Sequence, residues 1–166
     1  MEILLKEEKI HIGELGFRGP VTESAVEIGY GILKEYEGNG YTTEAVKALT
    51  DWAFGNENIY FVEAETAPDN KASQRILEKL EFVPDGVGEE GPRFVKEKEE
   101  TNWMAIYMPL GIAVGISFGS AFDNVGIGLS LGICFGLCIG TGLNASMKKE
   151  REKIRENRLK KHHFKG

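Results

Sequence analysis

Two glycines lie just ahead of a stretch with helical periodicity, where the residue types suit anion binding. They are Gly38 and Gly40, within Glu35-Tyr-Glu-Gly-Asn-Gly-Tyr-Thr-Thr-Glu-Ala45. The first turn of a helix carries N–H groups without partners and the positive end of the macrodipole, so it can bind a pyrophosphate. Glycines in the approaching loop leave the backbone bare for that contact. We therefore predict a phosphate-binding loop at Gly38 and Gly40.

Other phosphate-binding motifs fit this loop less well. The sequence contains no Gly-Lys-Ser/Thr triplet for a P-loop, and Thr43 stands where a dinucleotide-binding fingerprint has its third glycine. Taken alone, the two glycines are also consistent with a simple left-handed turn between a strand and a helix. The segment Asn70-Lys-Ala-Ser73 follows in the same half of the chain and favours the binding interpretation.

Charge divides the chain into three parts. Residues 1–100 carry 22 Asp and Glu against 11 Lys and Arg, residues 103–145 carry only Asp123, and residues 146–166 carry nine Lys and Arg against three Glu. An acidic first part argues against a nucleic-acid partner, because phosphate neutralisation needs clustered cations. The N-terminus lacks the basic leader and long apolar run of a signal peptide, so we expect the first part to be cytoplasmic.

The two cysteines, Cys134 and Cys138, are expected to pack as small hydrophobes, and no metal site is predicted.

The first hundred residues have the pattern of a mixed α/β sheet, in the order two strands, strand, helix, strand, helix and two weaker strands. Residues 3–17 are expected to form the first two strands, closed by turn residues over 16–20. Residues 25–33 and 59–66 are the next two strand candidates, and the second of these alternates with Glu63 and Glu65 on one face. The last two strand candidates are residues 82–83 and 93–95.

Two amphipathic helices alternate with these strands. Thr42 or Thr43 is expected to cap the first helix, which should end near Gly55, and Asp69 or Asn70 is expected to cap the second. The inward-facing residues are expected to be Ala45, Val46, Leu49, Trp52 and Ala53 in the first helix, and Ala72, Ile76, Leu77 and Leu80 in the second.

Three segments in this order carry a resemblance to a known family: Val26-Glu-Ile-Gly-Tyr30, Tyr36-Glu-Gly-Asn-Gly-Tyr-Thr-Thr-Glu-Ala45 and Asn70-Lys-Ala-Ser-Gln-Arg-Ile-Leu-Glu-Lys-Leu-Glu-Phe82. Residues 2–98 resemble the GNAT superfamily of N-acetyltransferases, particularly the ribosomal-protein alanine acetyltransferase branch. The resemblance implies acetyl-CoA as cofactor. It implies that Ile32 and Leu33 bind the pantetheine arm through their backbone, that the loop over 37–43 holds the pyrophosphate, and that Asn70 contacts the cofactor.

The resemblance also implies catalytic roles. Many family members use a tyrosine in the second helix to protonate the leaving thiolate, but Leu77 occupies that position here. In the branch that this chain resembles, the serine of Asn-x-x-Ser can take that role, which maps to Ser73. Glu27 is the best candidate for the base that deprotonates the amine. The alternatives are that Ser73 bonds locally at a helix start and that Glu27 is a solvated strand carboxylate.

The chain departs from the family pattern in two places. The Leu-Gly-Phe expected after the second helix is Leu80-Glu-Phe82. Full-length relatives also place a strand and two helices ahead of the point where this chain begins, and those elements usually shape the acceptor pocket. The expectation is therefore a partial domain, which leaves open that another chain supplies the missing half, that the enzyme is degenerate, or that the gene start is misread.

Residues 103–122 and 125–145 form two uncharged runs separated by Asp123 and Asn124. About 20 helical residues span about 30 Å, the thickness of a bilayer's hydrocarbon core. Glycines recur every four residues at 111, 115 and 119, and again at 128, 132, 136 and 140. This small-xxx-small pattern predicts a two-helix transmembrane hairpin that also self-associates through its glycine stripes. Pro109 would kink the first helix or begin it, and a buried soluble hairpin is the alternative.

The basic tail sets the expected topology. Positive charge from Lys148 onward places residues 146–166 in the cytoplasm, and a two-pass hairpin returns residues 1–100 to the same side. The tail is expected to lie against anionic lipid or to serve as a topology signal, with His162 and His163 in a solvated basic patch.

Two functions compete at this point. The first is a membrane-anchored, acetyl-CoA-dependent N-acetyltransferase acting on an amine such as a protein N-terminus. The second is a catalytically degenerate acetyl-CoA-binding module fused to a self-associating membrane hairpin. Turnover of acetyl-CoA discriminates between them.

Overall fold

A computed structural model describes residues 1–6 and 9–163 of the chain and divides into two compact units. The first unit contains Met1–Lys98 and also the end of the chain from Asn157. The second unit contains Glu99–Glu156. The end of the chain therefore belongs with the first unit, whereas the sequence pattern predicted a separate tail over residues 146–166.

The first unit is a six-stranded sheet with two α-helices. Its elements are β1 Glu2–Leu4, β2 His11–Thr22, β3 Ala25–Ile32, a 3₁₀ helix Lys34–Tyr36, α1 Tyr41–Phe54, β4 Phe61–Glu65, α2 Lys71–Lys79, β5 Val83–Val87 and β6 Pro92–Glu97. The strand order is β1-β2-β3-β4-β6-β5. Strands β3 and β4, which α1 connects, are parallel, and the other neighbouring strands are antiparallel. The predicted mixed α/β fold is confirmed.

Strand β2 is longer than its sequence predicts. The turn expected over residues 16–20 is wrong, because the strand continues through this segment to Thr22 and the chain turns at Glu23 and Ser24. Two register shifts, between Phe17 and Gly19 and between Pro20 and Thr22, absorb the turn-type residues within the β2–β3 pair. Glycine and proline are tolerated in a strand at such bulges, so their presence did not mark its end.

Helices α1 and α2 pack on one face of the sheet and form the apolar core. The buried cluster consists of Ile28, Val46, Leu49, Ala53, Val62, Ala64, Leu77, Phe82 and Phe94. Two predicted core residues are wrong: Trp52 is 69% exposed and Ala72 is also exposed. Each lies one residue, and so about 100° around its helix, from a buried neighbour, Ala53 or Ser73.

The second unit is the helical hairpin. Helix α3 spans Trp103–Ala121, and helix α4 begins at Val125 and ends at His163, beyond this unit. Pro109 lies inside α3, which begins at Trp103, so the expectation that proline could start the helix is wrong. Both helices are long and apolar enough to cross a membrane, and only 11% and 22% of their apolar windows are buried. This exposure argues against a buried soluble hairpin.

The two glycine stripes face each other within one chain. Gly111 and Gly115 of α3 approach the backbone of α4 so closely that a Cβ on Gly115 would lie 2.4 Å from the carbonyl oxygen of Gly128. Gly132 of α4 in turn lies close to the backbone of Gly111 and Gly115 in α3. Close helix packing through glycine is therefore present, but inside the described hairpin. The stripe surface predicted for self-association is occupied there by the chain itself.

Candidate active site

The site forms where the parallel strands β3 and β4 separate. Their pairing runs from Ala25 opposite Phe61 to Ile28 opposite Ala64, and it stops there. Strand β3 continues to Ile32 with β2 on its other side only. The described sheet therefore has an opening beside residues 29–32, bounded by the end of β4.

Ile32 directs its backbone groups into this opening, but Leu33 does not. The N–H of Leu33 donates to the carbonyl oxygen of Ile12 at 2.8 Å, and its carbonyl accepts from the N–H of Tyr36 at 2.9 Å. Hydrogen-bonded pairs alternate along an antiparallel ladder, so the backbone groups of Ile32 and Tyr30 point away from β2. Of the two residues expected to bind an extended arm, the geometry favours Ile32.

The glycine loop leads directly into helix α1. Gly38 has a φ angle of 80° and Gly40 of 85°, in the left-handed region that glycine adopts without strain. A Cβ on either residue would meet nothing within 4 Å, so the backbone is bare on that side. The side-chain amide of Asn39 donates to the carbonyl oxygens of Tyr36 and Glu37, at 3.2 and 3.4 Å, and holds the loop together.

The start of α1 has no side-chain cap. Gly40 is the N-cap residue and the helix begins at Tyr41, so the expectation that Thr42 or Thr43 caps the helix is wrong. Thr42 lies inside the first turn and is buried. The first-turn N–H groups, those of Tyr41 and its neighbours, face the glycine loop without a side-chain acceptor. These features fit a pyrophosphate group.

Helix α2 has the opposite arrangement, because its N-terminus is capped. The side-chain oxygen of Asn70 accepts the N–H of Ser73 at 3.0 Å, which confirms Asn70 as a helix cap. The predicted contact between Asn70 and the cofactor stays a prediction. Ser73 is only 9% exposed, and its hydroxyl lies 2.6 Å from the hydroxyl of Tyr30.

Tyr30 is a site residue that sequence reasoning missed. It belongs to the segment Val26-Glu-Ile-Gly-Tyr30, but no role was assigned to it. Ile28 and Tyr30 are two residues apart and therefore lie on the same, helix-covered face of β3. This spacing was the signal in the sequence that could have indicated that Tyr30 points toward the helices. Burial raises the pKa of Tyr30, while its hydrogen bond with Ser73 opposes this shift. The phenol is therefore protonated at neutral pH.

Glu27 lies on the other face of the sheet. It is three residues from Tyr30, and side chains alternate along a strand, so the two point to opposite faces. Glu27 lines a cavity of about 510 Å³ together with Arg18 and Glu65, and Arg18 Nη1 lies 3.6 Å from its carboxylate. Burial raises the pKa of Glu27 and Glu65 raises it further, while Arg18 lowers it. The candidate acid and base therefore lie on opposite faces of the sheet, and Glu27 belongs to the part of β3 that is still paired with β4.

The end of α4 covers this second face of the sheet. Arg158 is 3% exposed and donates to the carboxylates of Glu63 at 2.9 Å and Asp85 at 2.7 Å. Its guanidinium also lies 5.0 Å from the ring centroid of Phe61. Burial alone would lower the pKa of Arg158, but the hydrogen bonds to Asp85 and Glu63 raise it. Residues far apart in sequence thus form a buried ion-pair cluster.

His162 extends the cluster. Nδ1 of His162 accepts from the guanidinium of Arg93 at 2.7 Å, because a guanidinium can only donate, and Nε2 donates to Glu63 at 2.9 Å. The expectation that His162 lies in a solvated basic patch is therefore wrong. The side chain of His163 is outside the described residues. Among the groups that are described, no cluster of three or more His, Cys, Asp or Glu side chains is placed to hold a metal ion.

Comparisons with known proteins identify the family. Residues 1–83 match the model of the acetyltransferase (GNAT) domain, and residues 97–146 match the model of the glycine zipper membrane protein family. The first match takes in half of the 166 residues. The chain therefore belongs to the GNAT acetyltransferase family.

Individual relatives agree with this assignment. The uncharacterized N-acetyltransferase YjdG of Bacillus subtilis is 36% identical over 83 residues, which cover 49% of this chain and 49% of that protein. A GNAT-family acetyltransferase from Bacillus anthracis has a similar structure, with a TM-score of 0.54 and 26% identity over 60% of this chain and 66% of that chain. A ribosomal-protein alanine acetyltransferase from Vibrio fischeri gives a TM-score of 0.52 and 25% identity over 58% and 60%. The chain spans about half the length of the curated relatives it matches.

Proposed function

We propose that this protein binds acetyl-CoA and transfers the acetyl group to an amine. The observation that carries the proposal is the loop before α1, in which two left-handed glycines lead into a helix start without a side-chain cap. Such a start favours a pyrophosphate, and membership in the GNAT family makes acetyl-CoA the ligand of choice. The backbone groups of Ile32 face the opening beside β3 and suit a pantetheine arm.

The chain's own residues divide the remaining work. Acetyl-CoA supplies a thioester that an amine can attack. Glu27, whose pKa is raised, is a suitable base for the amine proton, and the Ser73 hydroxyl is a suitable donor for the leaving sulfur. The cavity beside Glu27 is lined by the carboxylates of Glu65 and Glu90 and also by the cations Arg18, Arg93 and Lys161, so an acceptor that enters it would meet charges of both signs. A protein N-terminus is the acceptor class that the family branch favours.

Calorimetry on the full-length protein in detergent tests the cofactor assignment. Val in place of both Gly38 and Gly40 should abolish acetyl-CoA binding, because a branched side chain at these φ angles strains the loop and obstructs the phosphate path. Gly142→Val is the matched control, since Gly142 has open space and no left-handed φ angle. Ser73→Ala should keep the affinity and lower turnover.

The outcomes separate the two functions. A folded wild-type protein without affinity for acetyl-CoA would overturn the cofactor assignment. Affinity without acetylation of any amine would instead support the degenerate binding module. The acceptor search should include peptides with free N-termini and small polyamines, because both present an attacking amine.

We also propose that α3 and the apolar part of α4 span a membrane as a hairpin, with residues 1–100 and the chain end on the cytoplasmic side. Two apolar helices that leave most of their surface exposed and the match to a glycine zipper membrane family support this. After Cys134 and Cys138 are replaced by Ser, single cysteines at Asp123 and Ser146 should label from opposite sides of the membrane. Labelling of both from one side, or recovery in the soluble fraction without detergent, would contradict the topology.

A further inference from the structure

We infer that Tyr30 is a positioning residue that orients the Ser73 hydroxyl toward the sulfur of coenzyme A. This inference rests on the proposed function. It assigns Tyr30 a purpose that neither the family resemblance nor the sequence pattern suggested.

The geometry begins with the hydrogen bond between the two hydroxyls. The oxygen atoms of Tyr30 and Ser73 lie 2.6 Å apart, and the next acceptor near the phenol is the carbonyl oxygen of Ser73 at 3.5 Å. A phenol is the stronger acid of the two groups and is protonated here, so it is the better donor. With Tyr30 donating, Ser73 Oγ accepts and its own proton is free to point elsewhere.

The surroundings hold both residues in place. Asn70 fixes the backbone of Ser73 at the start of α2. Tyr30 lies on β3 opposite Leu15 of β2, at the level where β4 has already separated. The hydroxyl pair therefore joins the edge of the opening to the capped start of α2, and neither residue has to move to form it.

The pair suits the charge that acyl transfer creates. The amine nitrogen bonds to the carbonyl carbon, the carbon–sulfur bond breaks, and its electron pair stays on sulfur. The amine proton leaves to Glu27 or to water. The Ser73 hydroxyl donates a hydrogen bond to the thiolate, and donation from Tyr30 strengthens it because successive hydrogen bonds polarise one another. Tyr30 keeps its proton throughout, and the thiolate takes its proton from water as coenzyme A leaves.

Ligand binding tests this without turnover. Coenzyme A carries the thiol and desulfo-coenzyme A lacks it, while both present the same phosphates. The affinity ratio of coenzyme A to desulfo-coenzyme A should rise with pH, because the hydroxyl pair stabilises the thiolate. Tyr30→Phe, which keeps the ring, should flatten this rise and leave the affinity for desulfo-coenzyme A unchanged. Tyr107→Phe in the hairpin is the control for removing a phenol.

Kinetics supply the second readout. Tyr30→Phe should lower kcat about tenfold with little change in the KM for acetyl-CoA, as expected when one hydrogen bond to a developing charge weakens. In a Ser73→Ala background, Tyr30→Phe should have no further effect, because Tyr30 acts only through Ser73.

The results separate this inference from the proposed function. A folded protein that does not bind coenzyme A would overturn both. A flat affinity ratio in the wild type, or an equal loss from Tyr30→Phe with and without Ser73, would overturn the role of Tyr30 and leave the acetyl-CoA assignment standing. A pH-dependent ratio that disappears in both Tyr30→Phe and Ser73→Ala would support the hydroxyl pair.

Discussion

The two faces of the sheet in the first unit are covered by different chemistry. One face packs apolar side chains from α1 and α2, and Leu77 is fully buried there. The other face buries the carboxylate of Glu63, 1% exposed, under Arg158 and His162 from the end of α4. When a substitution shortens a buried apolar side chain, the protein loses stability roughly in proportion to the number of atoms removed. A buried ion pair also carries the cost of the charge that its partner leaves behind.

On the ionic face, the hydrogen bonds of one buried polar atom are incomplete. Nε of Arg158 is buried without a hydrogen-bond partner among the described residues. The charge of Glu63 is neutralised by Arg158, and His162, which also comes from α4, donates a hydrogen bond to it. The comparison therefore indicates that the apolar face tolerates change better, and that the ionic face ties the end of the chain to the first unit.

The largest effect is expected from Arg158→Met. Removal of the guanidinium leaves the buried carboxylate of Glu63 with His162 alone as its side-chain partner among the described residues, and breaking such a pair costs about 4 kcal/mol in the free energy of unfolding. Denaturant unfolding of the full-length protein in detergent, followed by circular dichroism, measures this.

Lys153→Met is the matched control for this change, since Lys153 is an exposed cation on the same helix. Replacing Glu63 by Leu in the Arg158→Met background should recover part of the loss, because the orphaned charge is removed. If Arg158→Met unfolds like the control, the ionic face contributes nothing to stability and the contrast between the faces fails.

A somewhat smaller loss is expected from Leu77→Ala on the apolar face. Deleting a fully buried leucine side chain costs about 3 kcal/mol, through lost transfer energy and the cavity that remains. The loss should be the same at low and high pH, because no titrating group is exposed. Trp52→Ala, at an exposed apolar position, should change the free energy of unfolding by less than about 1 kcal/mol. If the loss of stability in Leu77→Ala depended strongly on pH, the conclusion that this face is held by apolar packing alone would be contradicted.

The smallest effect is expected at Glu27, on the edge of the ionic face. Its pKa is raised in the folded state, chiefly by burial, so the folded protein binds this proton more tightly than the unfolded chain. Stability should therefore fall as pH rises from the ordinary glutamate pKa through the raised value. Glu27→Gln should remove that slope and leave the apolar core intact. Unfolding curves of both proteins across this range are the measurement, and parallel slopes would contradict the assignment.

The sequence was informative where structure depends on neighbours in the chain. Gly38 and Gly40 marked a loop with left-handed backbone, and Asn70 marked a helix start, because each conformation follows from the residue's own chemistry. The uncharged runs marked two long helices for the same reason. The sequence was misleading at residues 16–20, because glycine and proline there fit either a turn or a β-bulge. The structure has bulges at this place, inside β2.

The candidate site was harder to predict because its parts come from distant segments. The sequence indicated the glycine loop, Ser73 and Glu27, but it could not indicate that Tyr30 meets Ser73, 43 residues away. It likewise placed His162 in a solvated basic patch and gave Glu63 no partner, since nothing local shows that a strand and a chain end will meet.

By itself, the sequence determined the local conformations of this protein: the bare glycine loop, the helix cap at Asn70 and the apolar helices with glycine every fourth residue. Only the tertiary structure decided which side chains are buried against each other and so removed from water. Arg158 and Glu63 are 95 residues apart, and each alone would be unfavourable to bury, so their burial follows from the packing of α4 on the sheet. The tertiary structure likewise decided that the glycine stripes face each other, because backbone contact at Gly115 depends on how the chain turns at Asp123.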